Sequence, residues 1–373
     1  MNRNDAYWVL NGLKAIGPIS LNRLLDAFGE NPVAVLSAGE CALRAVHGIS
    51  RNAVESILRW NQYFDLEKEK RIAAKHSVEF LDRESDRYPA LFKEIHDPPI
   101  GIYALGGYGF SSTCVAIVGS RRTTMYGQAV ARGISRELSQ SGICVVSGLA
   151  RGIDTHAHKG ALESDKGLTV AVMGCGIDII YPPENIDLYR EIGDRCAVLS
   201  EFPFGRRADK QTFPMRNRLV SGLSKAVVVI ESDLRGGSMI TAKFAGEQGR
   251  LVCAVPGRID QRTSRGCNQL IRDGALLLSS VDDLLNELAY ECQLPQLKAL
   301  GGPERGVDIE TLSADESSVL KLFSGGEILD ADRIGRKIDL PASEVSSVLL
   351  LLELKGYIAK RLDGSFEAVS TFR

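Results

Sequence analysis

The chain has 373 residues, 44% hydrophobic and 25% charged, with a formal net charge of -2. That length suits two or three globular domains with enough apolar sequence for a sizeable core, which excludes a fibrous or wholly disordered chain. The near-neutral balance also excludes nucleic-acid binding by bulk positive charge, so any such affinity must be local.

Residues 1–84 read as a small helical domain, of helix-hairpin-helix or SAM-like type. Leu21, Leu24, Leu25 and Phe28 repeat at the spacing of one helix face. Two similar glycine turns, Ala15 to Ser20 and Val46 to Ser50, each precede a new helix. Such turns can offer backbone amides to phosphates. However, 11 basic and 11 acidic residues cancel here, and a packing role is at least as well supported.

Residues 85–292 carry apolar, β-rich runs at 114–118, 143–146, 168–173, 196–199, 226–230, 251–255 and 275–278, with helical patterns between them. Continuous apolar runs suit strands buried on both faces. The strand–helix alternation predicts an extended Rossmann-like, doubly wound and mostly parallel sheet. In such sheets ligands bind outside the carboxyl ends of the strands. The polar loops there are therefore the candidate site.

Four of these loops carry anion-binding chemistry. Gly119, Ser120, Arg121 and Arg122 follow a strand and open a helix, whose N-terminal amides attract anions while arginine forks match phosphate. Arg151 sits in a Gly-flanked loop with Asp154 as a potential N-cap for the next helix. The run Arg206 to Arg218 holds five basic residues and one acid in thirteen positions, with Pro214 placed to open a helix. Its segment Phe213, Arg216, Asn217 and Arg218 combines a ring for base stacking with charge for phosphates, as single-strand binders do. Gly237 and Ser238 form a further phosphate cradle before a helix.

His156 and His158 fall on different helix faces without a completing ligand and read as structural. Eight cysteines without a C-x-x-C pair fit a reducing compartment rather than disulfides or zinc. Phosphate-loop, zinc-protease and nucleophile-elbow motifs are absent, so neither cofactor, metal nor catalytic residue is expected. No run approaches the ~18 apolar residues of a membrane span. The start of the chain lacks a signal pattern, so a cytoplasmic protein with no membrane partner is expected.

A Pro- and Gly-containing linker spans 293–311. Residues 312–373 read as three helices (316–323, 330–338 and 341–355, with Ser343 as cap) and a hairpin turning at Asp363-Gly364, a winged-helix-like unit. Its seven basic and ten acidic residues between Ser313 and Ser370 favour protein contact over duplex DNA.

Taken in order, Gly119-Ser120-Arg121, Ser147 to Asp154, Gly174 to Asp178 with Tyr181-Pro182, Ser200-Glu201, Phe213 to Arg218, Gly237-Ser238 and Ala254 to Gly257 resemble the bacterial DNA-processing protein A (DprA, or Smf) family. The resemblance covers about residues 85–283. It implies a non-enzymatic, homodimeric protein that binds and protects incoming single-stranded DNA and loads RecA recombinase during natural transformation. The implied DNA contacts are Arg121 and the Phe213 to Arg218 segment, then Arg151 and the Gly237-Ser238 turn. The alternative is an enzyme similar to Rossmann-like nucleotide phosphoribohydrolases, with Glu247 as its acid.

Overall fold

A computed structural model describes residues 1–107, 113–291, 312–323, 327–338, 340–355, 357–361 and 364–368. The chain divides into two compact units, Met1–Lys298 and Ala299–Arg373. The linker read over 293–311 lies outside the described residues, as does Asp363 of the expected hairpin turn.

The first unit is built on a nine-stranded sheet. Its strands are β1 (Val78–Asp82), β2 (Gly101–Gly106), β3 (Cys114–Gly119), β4 (Cys144–Ser147), β5 (Thr169–Met173), β6 (Ala197–Ser200), β7 (Ala226–Ile230), β8 (Leu251–Ala254) and β9 (Leu276–Leu277). Their spatial order is β1-β2-β6-β5-β4-β3-β7-β8-β9. From β6 to β9 every pairing is parallel. The seven strands expected from the apolar runs are all present. The order reverses beside β3, where one neighbour is β4 and the other β7, so a crevice opens above that point.

Two further strands go beyond the expectation. β1 and β2 pair antiparallel with each other, and β2 pairs antiparallel with β6, extending the sheet at one edge. β1 thus lies within the 1–84 stretch, whose remaining residues form seven helices between Arg3 and Lys75. These helices share one core with the sheet. Trp8 stacks on Phe80 of β1 at 4.8 Å and meets Tyr103 of β2 edge-on at 6.1 Å.

Helices cover both faces, which is why β5 and β7 are buried along their whole length. One face packs helices Thr212–Gly222, Gly237–Glu247 and Arg265–Arg272 through residues such as Leu219, Ala242 and Cys267. The other packs Met125–Gln140, Ile153–Leu162 and Val281–Glu291 through Leu138, Ala157 and Leu284. Among the described residues, no helix is long and apolar enough to cross a membrane.

The second unit is a winged helix. Helices Ala314–Lys321, Ala331–Ile338 and Ala342–Leu354 precede an antiparallel pair, β10 (Ile358–Lys360) and β11 (Phe366–Ala368). Their core includes Phe323, Ile334, Val345, Leu352 and Phe366. Ser313 and Glu316 close a reciprocal capping box, and Lys355 donates to the same carboxylate at 2.6 and 2.8 Å. The third helix starts at Ala342 after Pro341, so Ser343 lies inside it rather than capping it.

Candidate nucleic-acid interface

The loops at the carboxyl ends of β3, β4 and β7 surround an open cavity of about 700 Å³. Helix Thr212–Gly222 and the turn before helix Gly237–Glu247 complete its walls. Gly119, Ser120, Arg121, Arg122, Phe213, Arg216, Asn217, Gly237 and Ser238 all line it. Arg151 and Arg218 do not.

The Arg121 loop is held from β7. Glu231 closes that strand at φ 53° and is buried. Its carbonyl accepts from the Ser120 amide at 2.7 Å. Its carboxylate accepts from the Thr123 hydroxyl at 2.6 Å, the Thr124 amide at 2.8 Å and the Thr124 hydroxyl. Thr124 in turn caps helix Met125–Gln140 through the Gly127 amide. Gly127 is required here, because a Cβ would stand 2.3 Å from the Glu231 carboxylate. Gly119 also serves packing rather than ligand approach, since its Cβ would meet the Ile230 carbonyl at 1.9 Å.

Held this way, Arg121 and Arg122 are exposed and make no ion pair among the described residues. Arg121 lies 4.8 Å over the Phe213 ring, within cation–π range. Lys210 lines the same cavity and is likewise without an acidic partner there. It is not among the contacts expected from the sequence, although it lies in the same basic run three residues before Phe213. The two lining carboxylates are already engaged: Asp233 accepts from Arg262 at 2.6 Å, and Asp154 faces Arg216. Across the cavity, Gly236 caps helix Gly237–Glu247 without a side-chain bond, leaving first-turn amides for a ligand. Asn217 donates to the Gly237 carbonyl at 3.3 Å and ties the two walls together.

Arg216 forms the buried floor and is only 4% exposed. It donates to the Val172 carbonyl at 3.1 Å and stands 4.0 Å from Asp154. Burial lowers its pKa, with Asp154 opposing. Burial also raises the Asp154 carboxyl, with Arg216 opposing. Asp154 does not cap helix Ile153–Leu162; Gly152 does, and Asp154 instead accepts from the Gly148 and Ala150 amides. Gly148 makes room for the guanidinium, since a Cβ there would be 1.2 Å from Nη1.

Arg218 points elsewhere, because its charge is consumed by the buried Glu201 and the partly exposed Asp97. It is 4% exposed, pairs with Glu201, meets the Asp97 carboxylate at 3.2 Å and donates to the Asp97 carbonyl at 2.9 Å. The helix bearing it starts at Thr212, so Phe213 and Pro214 are its second and third residues rather than its entry. Arg151 is exposed outside the cavity and forms a two-bond pair with Glu184. Glu247, the expected acid of the enzymatic alternative, ends the 11-residue helix whose start faces the cavity, roughly 15 Å away at 1.5 Å per residue.

His158 is fully buried, and His156 is partly exposed on the same helix. The Thr169 hydroxyl donates to the Val145 carbonyl, so His158 Nδ1–H donates to Thr169 at 2.7 Å. Its Nε2 has no partner among the described residues. Burial, then Arg216, push its pKa down to about 3. Between that value and the unfolded value near 6.5 the unfolded chain binds the extra proton. We expect stability to fall as pH drops through this window. Urea melts of wild type and His158→Gln across it should show the slope in wild type and a shallower one in the variant.

The family model for DNA recombination-mediator protein A matches residues 79–289, and that of the DprA winged helix domain matches 303–364. Protein Smf of Synechocystis sp. is 37% identical over 297 residues, covering 77% of this chain and 73% of its own. The DNA processing protein DprA of Streptococcus pneumoniae is 38% identical over 268 residues, covering 70% and 91% respectively. An X-ray structure of DprA from S. pneumoniae superposes with a TM-score of 0.66 at 32% identity, covering 76% of this chain and 97% of that one. A Helicobacter pylori DNA processing protein A, from a study of its single-stranded DNA binding mode, superposes at 0.52 with 31% identity, covering 57% and 96%. Matched by both family models, and 37% and 38% identical to these two relatives over more than two thirds of their length, the chain belongs to the DNA recombination-mediator protein A (DprA) family.

Proposed function

We propose that this protein binds single-stranded DNA in the cavity above β3, β4 and β7, and passes the strand to a RecA-type recombinase during DNA uptake. The observation that carries the reading is the set Arg121, Arg122 and Lys210. All three line one open cavity without acidic partners among the described residues, beside a ring and a helix N-terminus. Cations hold the phosphates, and Phe213 offers a face for a base. Arg216 works from below, keeping a positive floor in a desolvated place. Arg218 acts by anchoring the helix, not by touching the strand.

The cavity is a binding rather than a reacting centre. Its two carboxylates, Asp154 and Asp233, are committed to arginines and backbone amides, so neither is a free base. The protein acts in the cytoplasm as a homodimer. The winged helix serves protein contact, a role its acidic balance and the exposed Leu350 and Leu351 support.

Fluorescence anisotropy of a labelled oligo(dT), titrated at several salt concentrations without nucleotide, tests the reading. Wild type should bind, with affinity falling by a slope of about -0.7 per phosphate contacted. Phe213→Ala should weaken binding by ~1–3 kcal/mol through loss of stacking, with the salt slope unchanged. A folded wild type that ignores the oligonucleotide would overturn the proposal. Co-sedimentation with a RecA-type recombinase on single strands then tests the handover.

A further inference from the structure

Beside the cavity, on its β5 flank, lies a cluster outside its lining that includes Arg151, a DNA contact implied by the family resemblance. Tyr181 is 37% exposed, and its ring centroid is 5.8 Å from that of Phe213. Arg151 stands next to it on the loop after β4 and is half exposed, as is its partner Glu184. Arg151 and the Tyr181 hydroxyl sense each other electrostatically.

The cluster is fixed in place. Asn185, buried next to Glu184, donates to the Leu149 carbonyl and the Thr155 hydroxyl, both at 2.9 Å. It pins the segment carrying Tyr181 and Glu184 to the loop carrying Arg151. Since β5, β4 and β3 are neighbours, Tyr181, Arg151 and Arg121 follow one another along the same sheet end. Strands lie about 4.8 Å apart, so the loops form adjacent steps of one track.

This placement rests on the single-strand reading and extends it. We infer that Tyr181 and Arg151 form a second nucleotide subsite, closed in the free protein by Glu184. A strand leaving the cavity past Phe213 lays its next base on the outward face of Tyr181. Its phosphate takes the Arg151 guanidinium from Glu184. The carboxylate occupies the position a phosphate oxygen would take, with the same two-bond geometry. Glu184 therefore acts as a built-in competitor, and only a strand long enough to fill the cavity and continue displaces it.

The experiment compares a thymidine trinucleotide with a dodecamer on wild type, Glu184→Gln, Tyr181→Ala and the Arg151→Met, Glu184→Gln double variant. All are full-length and are checked for folding by thermal melts. Glu184→Gln should tighten dodecamer binding about threefold, by freeing an exposed arginine and removing a repelling charge. The double variant should abolish that gain. Tyr181→Ala should lower the dodecamer-to-trinucleotide affinity ratio roughly tenfold. Unchanged or weaker dodecamer binding by Glu184→Gln, or an unchanged ratio in Tyr181→Ala, overturns the subsite while leaving the cavity reading intact. Failure of wild type to bind either oligonucleotide overturns the cavity reading and the subsite together.

Discussion

Arg121→Glu is expected to weaken oligo(dT) binding by roughly ten- to a hundredfold near 0.1 M salt and to flatten the salt slope by about 0.7 for each phosphate that is no longer held. The guanidinium is exposed, has no acidic partner among the described residues and is oriented by the Phe213 ring. Charge reversal therefore removes an attraction and adds repulsion without opening a buried pair. For the same reason, stability should move by less than about 0.5 kcal/mol. Arg121→Lys separates the two contributions. It retains the charge and hence most of the salt slope, but lacks the planar group that lies over the ring. Wild-type affinity in Arg121→Glu would move the phosphates away from the β3 loop, towards Lys210 and Arg262.

Arg218→Ala is expected to behave in the opposite way: a loss of ~3–5 kcal/mol of stability, with little change in the DNA affinity of the folded fraction. Removing the guanidinium strands Glu201, a buried carboxylate whose Oε2 already has no partner among the described residues. Burial raises the Glu201 pKa even with Arg218 in place, and removing Arg218 raises it further. The folded state then binds the extra proton above the ordinary carboxylate range, so stability declines as pH rises from that range to the raised folded value. Urea denaturation should therefore show a larger deficit at pH 8 than at pH 5. Replacing both buried partners, as Arg218→Met with Glu201→Leu, should recover most of the loss, because no uncompensated buried charge remains and Asp97, the other acid on Arg218, is open to solvent. A deficit independent of pH, or a double variant as unstable as the single one, would sink this account. Together, the two arginines separate binding from folding within one protein.

The same pair explains what could be read from the sequence. Seven parallel strands were legible because strands buried on both faces leave unbroken apolar runs, as in Ala226–Ile230. β1 and β2 were not. Val78–Asp82 is five residues following a helix, and Gly101–Gly106 is bounded by glycines, so neither stands out from its surroundings. The strand-end loops came together as their chemistry suggested. In and just before the Phe213 to Arg218 segment, however, three basic residues of equal appearance have three different fates: Lys210 has no acidic partner among the described residues, Arg216 is a floor, and Arg218 is an anchor. Helical phase could not separate them, because the acids that face Arg216 and Arg218 lie elsewhere along the chain, at Asp154 and Glu201. Gly148 was the available hint, a glycine whose missing Cβ is the room Arg216 occupies.

The aromatic joint between the first helices and the sheet bears on how the chain is made. Trp8 donates to the Tyr103 hydroxyl, which donates to Glu69, which also accepts from the Phe204 amide. Tyr103 pairs in register with Ser200. On the ribosome, the helices and β2 emerge first, yet the partner strand and Phe204 follow roughly a hundred residues later, so the joint closes only through long-range contacts of the slow-forming kind. Synthesis must reach β6 before the opening segment has its final surroundings, and a chain stopped short of it would hold Trp8, Phe80 and Tyr103 without the strand that completes their seat.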